Sequence, residues 1–292
     1  MTDDITITGS AAARLLSTAT HYGFDPQEFV DYVIGVLNGT EANLSRNDET
    51  LPLDSKIEIA RTVASYPLKQ LQRTLVLFSG SKESTLTMYI LRDVCKEQGK
   101  KLPDVLFVDN FMHYDQTMEF VQKLSGEWNF NVKTVGNDSL RDKKYGETVN
   151  VSDLPQNQKE ELSRIGFSGL QFLVSSDDNA ANHLLNAFVI NQHAAAGRYE
   201  GVFVSDDYLM GRRARSFASP SGEGWIRITP LLLLSDREIL SYMQDNGIPK
   251  NPVYVKGNEN IFNRYEKKVS ESEDDQAEFM GVVENLKRLG YA

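Results

Sequence analysis

Cysteine is nearly absent from this chain: Cys95 is the single one in 292 residues. One thiol excludes a disulfide framework, and it excludes a zinc site or iron–sulfur cluster built on cysteine ligands. Basic residues are also in short supply. Lysine and arginine number 31 against 41 aspartates and glutamates, for a formal net charge of -10 at pH 7. The overall field therefore repels polyanions, and any phosphate-binding function has to be local. Long apolar runs are missing too. No stretch reaches the roughly 18 apolar residues that a membrane span requires, and the first residues lack the basic-then-apolar pattern of a secretory signal. A cytoplasmic protein with no membrane partner is expected.

What is present is ordinary for a soluble globular chain: 40% hydrophobic and 25% charged residues, with a mean hydropathy of -0.39. The length suits one large α/β domain with a smaller appendage. Residues 1–50 read as a small helical module. A short strand at Ile5–Thr8 precedes one helix opened by Ser10 and another opened by Asp25-Pro26-Gln27-Glu28, where Asp25 and Glu28 make a capping box and Pro26 sits at the first helical position. This order resembles the ribbon-helix-helix fold of dimeric DNA readers. The charge argues otherwise, since six acids (Asp3, Asp4, Asp25, Glu28, Asp31, Glu41) face two bases (Arg14, Arg46) up to residue 46, and duplex affinity rests on phosphate neutralisation. A packing or homodimerisation role is expected, and nucleic acid is not an expected partner.

Residues 39–55 read as a linker, followed by a helix from about Ser55 to Ser65. From Thr74 the texture changes. Thr74-Leu75-Val76-Leu77-Phe78 is a continuous apolar run that ends at Ser79-Gly80, as in a strand buried on both faces. Further runs at Val105–Val108, Val132–Val135 and Gly201–Val204 alternate with helical stretches through about Gln98, from about Asp115, and from about Asn179 to Ala196. Alternating strands and helices predict an α/β fold, a doubly wound, mostly parallel sheet with helices on both faces. Ligands of such sheets sit at the carboxyl ends of the strands, so the loops after Phe78, Val108 and Val204 are expected to share one crevice. The nucleotide-binding domain is set at 51–257, and residues 258–292 at a helical tail.

Three loops carry candidate chemistry. Ser79-Gly80-Ser81-Lys82-Glu83-Ser84 joins the first buried strand to a helix, and a small-residue turn there can offer unpaired amides at a helix amino terminus to a phosphate. Ser79, Ser81 and Ser84 add hydroxyls, and Lys82 adds a mobile positive charge. The spacing is not that of a Walker A loop. Asp109, at the end of the next strand, can accept from ribose hydroxyls or an adenine amine, or hold Mg²⁺ through water; it can equally be a helix-entry aspartate. Arg212, Arg213 and Arg215 crowd three guanidinium groups into four residues, a grouping suited to a phosphate or sulfate, although Asp206 and Asp207 could neutralise them internally. His113, His183 and His193 have no metal-ligand spacing and are read as structural.

These segments resemble the PP-loop ATP pyrophosphatase superfamily, and within it the family of the ATP sulfurylase small subunit and phosphoadenylyl-sulfate (PAPS) reductase. Ser79, Gly80, Lys82 and Ser84 match its Ser-Gly-Gly-x-Asp-Ser loop, with Ser81 in place of the second glycine and Glu83 in place of the aspartate. Val108-Asp109 and the following helix resemble its Val-Asp-Thr-Gly segment, and Gly211-Arg212-Arg213 is similar to its Gly-x-Arg-Arg segment. Ile228-Thr229-Pro230-Leu231, Ser235–Tyr242 and Asn246–Tyr254 resemble its last signature. The likeness covers about Leu75 to Gly257.

The resemblance implies an adenine nucleotide α-hydrolase-like fold and ATP-dependent adenylation with release of pyrophosphate. Ser79, Gly80, Ser81, Lys82 and Ser84 would hold phosphates, Asp109 the nucleotide or Mg²⁺, and Arg212, Arg213 and Arg215 the acceptor or α-phosphate; Lys82, Asp109 and Arg213 are the catalytic candidates. The acceptor, a small oxyanion or a protein or RNA group activated for sulfur transfer, stays open. So does a nucleotide-sensing or DNA-binding regulatory protein built on the same domain. Reductases of that family attack with a cysteine near the carboxyl terminus, whereas the single thiol here, Cys95, lies in the helix after the loop, so thiol-dependent PAPS reduction is not expected.

Overall fold

The computed structural model describes residues 52–111, 113–175, 178–205, 217–221, 224–255 and 258–262. The expected N-terminal module lies outside these residues, as do Arg212, Arg213 and Arg215 and the chain beyond residue 262.

Among the described residues ten strands follow in chain order: β1 (Thr74–Leu77), β2 (Asp104–Asp109), β3 (Val132–Gly136), β4 (Thr148–Asn150), β5 (Gln171–Leu173), β6 (Gly201–Phe203), β7 (Ala218–Pro220), β8 (Ile226–Ile228), β9 (Tyr254–Val255) and β10 (Asn258–Phe262). The helices are α1 (Leu53–Gln70), α2 (Lys82–Glu97), α3 (Asp115–Trp128), α4 (Gln156–Arg164), α5 (Asn179–Asn182), α6 (Phe188–Gly197) and α7 (Asp236–Asp245), with a π-helical turn, His183–Ala187, between α5 and α6.

Six strands form the central sheet in the order β3-β2-β1-β6-β8-β7. All its pairs are parallel except β7 with β8. The chain leaves β1 toward β2 and β3 on one side and returns to place β6 on the other. The strand order reverses between β1 and β6, which makes their carboxyl ends the topological switch point where open α/β sheets bind ligands. β2, β1 and β6 lie side by side and parallel, so the three expected loops leave from one edge of the sheet.

Burial on both faces explains the continuous apolar strands. Val76, Phe78, Val105 and Phe107 pack into one core with Leu86, Leu91, Val121 and Met243 from α2, α3 and α7. Leu75, Leu77, Leu106 and Val108 pack into a second core with Leu184, Leu185 and Val189 on the opposite face. Each fully buried phenylalanine or leucine contributes roughly 1.5–3 kcal/mol. Ser81 caps α2 by accepting from Ser84 N, and Ser235 and Glu238 form a capping box at α7.

Several elements differ from expectation. α1 runs from Leu53 to Gln70, past Pro67, rather than from Ser55 to Ser65, because Ala64 and Leu68 are buried in the first core. The antiparallel pair β4–β5, helix α4 and the pair β7–β8 are additional to the expected elements; strands of three residues show too little alternation to stand out. Pro220 is tolerated because β7 is an edge strand. Asn258–Phe262 is a strand paired with β9, not the start of a helical tail. The helix expected over 179–196 is interrupted by its π turn, where the Leu184 carbonyl accepts from the buried Asn137 Nδ2 at 3.3 Å.

Glu161 of α4 is held down to about 2, chiefly by its hydrogen bond from Arg164 and against burial, with His183 adding a contact at 2.5 Å. Its folded value lies below the ordinary 4.5. The stability it lends is present above pH 4.5 and is lost as the pH falls from there toward 2. Thermal unfolding followed across that window should fall less steeply in Glu161→Gln than in the parent chain. Equal slopes would show that the pair is energetically silent.

Candidate functional site

The turn after β1 is built by local chemistry. β1 is extended by a bond from Phe78 N to Leu106 O at 2.9 Å, and Gly80 then turns the chain at φ +78°. Three hydroxyls meet inside the turn: Ser79 Oγ lies 3.0 Å from Ser81 Oγ and 3.1 Å from Ser84 Oγ, and Ser81 Oγ lies 3.2 Å from Ser84 Oγ. All three serines are buried. α2, sixteen residues long, begins at Lys82 with Ser81 as its cap and Ser84 in its first turn, so the amino-terminal end of its dipole points into this group. Small polar side chains around a helix amino terminus can exchange partners with an oxyanion.

Lys82 corrects two expectations. The side chain is not a mobile charge. It is 3% exposed, and its Nζ pairs with Glu83 Oε1 at 2.7 Å and Asp236 Oδ1 at 3.4 Å. The amides of the turn are not all unpaired either. Lys82 N donates to the Tyr254 hydroxyl at 2.5 Å, Ser81 N to Ser79 Oγ at 3.2 Å, and Ser84 N to Ser81 Oγ at 3.2 Å. Two of these acceptors are local serine hydroxyls, and the third, Tyr254, comes from 172 residues downstream in the segment after α7, which returns across the turn. Asn251 Nδ2 donates to Gly80 O at 3.2 Å and to Thr117 Oγ1 at 3.3 Å.

Asp109 ends β2, next to β1 at the same edge of the sheet. Its Oδ1 accepts from Phe111 N at 2.8 Å, a turn that holds Phe111 in the left-handed region at φ +63°. One carboxylate oxygen is thus committed to shaping the loop. Arg141, which the sequence reading passed over, follows the carboxyl end of β3 and places its guanidinium 4.8 Å from the Phe111 ring. Its pKa is raised, first by its bond to Asp138 and further by the charge of Asp109. The signal that could have found it is position: it lies just past the Asn137-Asp138-Ser139-Leu140 turn at the end of β3. His113 is turned inward, with Nε2 3.0 Å from Val108 O and its ring 4.8 Å from Phe107.

The structure therefore brings Ser79, Gly80, Ser81, Lys82 and Ser84 into one turn and sets Asp109 at the neighbouring strand end. Ser205, buried after β6, is the last described residue before the segment holding Arg212, Arg213 and Arg215. Away from this edge, Cys95 is buried on α2, and burial pushes its thiol up to about 11, the opposite of nucleophile activation. Among the described residues no group of three or more His, Cys, Asp and Glu could hold a metal ion, and no helix is long and apolar enough to cross a membrane.

No family model matches the chain. It is 36% identical over 74 residues to the uncharacterized protein YbdN of Escherichia coli (strain K12), a match that covers 25% of this chain and 18% of that protein. Among solved structures, it is similar to phosphoadenylyl-sulfate (PAPS) reductase from Candida auris in a phosphate complex, with a TM-score of 0.47 and 13% identity over 70% of this chain and 91% of the other. It is also similar to Candida glabrata FMN adenylyltransferase in complex with FAD and inorganic pyrophosphate, with a TM-score of 0.45 and 12% identity over 85% and 90%. Likenesses this distant assign no chemistry to this chain.

Proposed function

We propose that this chain is an ATP-binding enzyme of the PP-loop type, which joins the adenylyl group of ATP to an acceptor oxygen and releases pyrophosphate. One observation carries the reading: at the point where the sheet order reverses, a serine-lined turn with Gly80 at φ +78° feeds the amino terminus of a long helix. The motif resemblance over Leu75 to Gly257 supports the same assignment.

In this reading the amides and hydroxyls of Ser79, Gly80, Ser81 and Ser84 take the β- and γ-phosphates. Lys82 contributes charge after leaving Glu83 and Asp236. Asp109 faces the nucleoside or holds Mg²⁺ through water, and Mg²⁺ arrives with the polyphosphate rather than in a preformed protein cage. Arg212, Arg213 and Arg215 steady the α-phosphate and acceptor. The acceptor oxygen attacks the α-phosphorus, the bond to the bridging oxygen breaks, and pyrophosphate leaves. No protein nucleophile is needed, because positioning and charge neutralisation carry such transfers. Sulfate activation and activation for sulfur transfer are both served by this arrangement.

The test is pyrophosphate release by the purified chain with ATP, Mg²⁺ and a panel of acceptors headed by sulfate. Release should depend on the acceptor, and Arg213→Ala should weaken ATP binding about ten-fold through loss of a charge-assisted contact. If ATP affinity is unaltered in Arg213→Ala and no acceptor elicits release, the enzymatic reading fails. A salt-dependent shift of duplex DNA would favour the regulatory one instead.

A further inference from the structure

We propose that Tyr254 is a stand-in acceptor that closes the phosphate turn in the ligand-free protein, and that a phosphate chain binds by displacing it. The inference rests on the phosphate site proposed above and concerns how that site is regulated.

The first amides of a helix have no partner within the helix, and a buried amide without an acceptor is costly. Lys82 N is the first helical amide of α2, in a residue that is almost wholly buried. It needs an acceptor whether or not a ligand is present. The Tyr254 hydroxyl supplies one at 2.5 Å. The same residue's ammonium is held by Glu83 and by Asp236 from the first turn of α7. Both polar handles of Lys82 are therefore occupied, and residues of the 236–254 stretch contribute to both.

Residues 251–254 form a strap across the turn, with an anchored end and an exchangeable end. Asn251 is buried; it donates to Gly80 O and Thr117 Oγ1, and its Oδ1 accepts from Val253 N at 3.1 Å. A carbonyl such as Gly80 O cannot bind an anion, so Asn251 can stay in place when phosphate arrives. Tyr254 is different, because it accepts from an amide that an oxyanion would also seek. An anionic oxygen makes a charge-assisted bond, stronger than the one to a neutral phenol, so the exchange favours the ligand. Tyr254 opens β9, which pairs with β10. Displacing the phenol would thus be felt in that hairpin, giving the site a built-in readout of occupancy.

The experiment compares the full chain with Tyr254→Phe, which keeps the ring and removes the competing oxygen. Affinity for inorganic pyrophosphate and for ATP with Mg²⁺ is measured by calorimetry, and amide exchange over residues 79–84 by mass spectrometry. Tyr254→Phe should bind both ligands about three- to ten-fold more tightly, the worth of one competing hydrogen bond. Its turn should exchange faster when ligand-free and be protected by pyrophosphate. Equal or weaker binding by Tyr254→Phe overturns the latch and leaves the phosphate site standing, since the phenol would then be idle or a ligand itself. Absence of binding by both proteins refutes the phosphate site, and the latch with it.

Discussion

Gly80→Val is expected to lower the stability of the chain by about 3 kcal/mol and to abolish binding of pyrophosphate and ATP. At φ +78° an L-residue costs roughly 1–2 kcal/mol, and a β-branched one sits there worst of all. A Cβ at this position would also meet Asn251 Nδ2 and Val121 Cγ2, each at 3.2 Å. Two further methyl groups have nowhere to go between the strap and α3, and overpacking of this kind costs about 1–3 kcal/mol. The chain's way out is to open the turn, which scatters the three serine hydroxyls. Gly80→Ala should lose about half as much. Urea unfolding gives the first quantity and calorimetry the second. Wild-type stability in Gly80→Val would mean that the turn is not held as described.

Lys56→Ala should cost about as much, from the other side of the same helical layer. Lys56 is 2% exposed and its Nζ lies 2.6 Å from Glu238 Oε1. Burial pushes the Glu238 carboxyl up, yet bonds from Lys56 and from Ser235 bring it below the ordinary carboxylate range. Truncating Lys56 removes the counter-charge and leaves a cavity under α1. Breaking a buried pair in this way costs about 3–5 kcal/mol, reduced here to about 3 because Glu238 retains some solvent and its two bonds from Ser235 at 2.8 Å. Lys56→Met fills the space, and paired with Glu238→Gln it should recover most of the loss. Thermal and urea unfolding of the three chains separate charge from volume. A Lys56→Met, Glu238→Gln chain as unstable as Lys56→Ala would show that the ion pair itself, not packing, holds α1 in place.

The parts legible in the sequence were those written in neighbouring residues. Leu75, Val76 and Leu77 follow one another without a polar break, so a doubly buried strand could be read directly, and with it the parallel sheet. Ser235 and Glu238 are three residues apart, so the start of α7 was readable as well. The serine turn was legible as a turn because Gly80 and its hydroxyl neighbours are contiguous. What could not be read were meetings across the chain. Nothing near Lys82 announces that Tyr254, 172 residues later, will accept from its amide, or that Asp236 will share its ammonium. Asn246–Tyr254 stands out in the sequence only by its resemblance to a family signature; the return of that segment across the serine turn shows what Asn251 and Tyr254 touch. Short strands such as β4 and β5 were invisible because three residues cannot express a period, and Arg141 was missed because a lone arginine in a polar loop resembles any solvated one.

The ion pair between Lys56 and Glu238 spans 182 positions, which has a bearing on how the molecule is made. During translation α1, β1 and the serine turn leave the ribosome long before α7 exists. Until then Lys56 and Lys82 lack the counter-charges that residues 236 and 238 bring, and the helical layer they belong to is incomplete. Contacts of such wide separation form late and slow the search. The segment carrying α1 and the serine turn must therefore wait, partly consolidated, until α7 has been made.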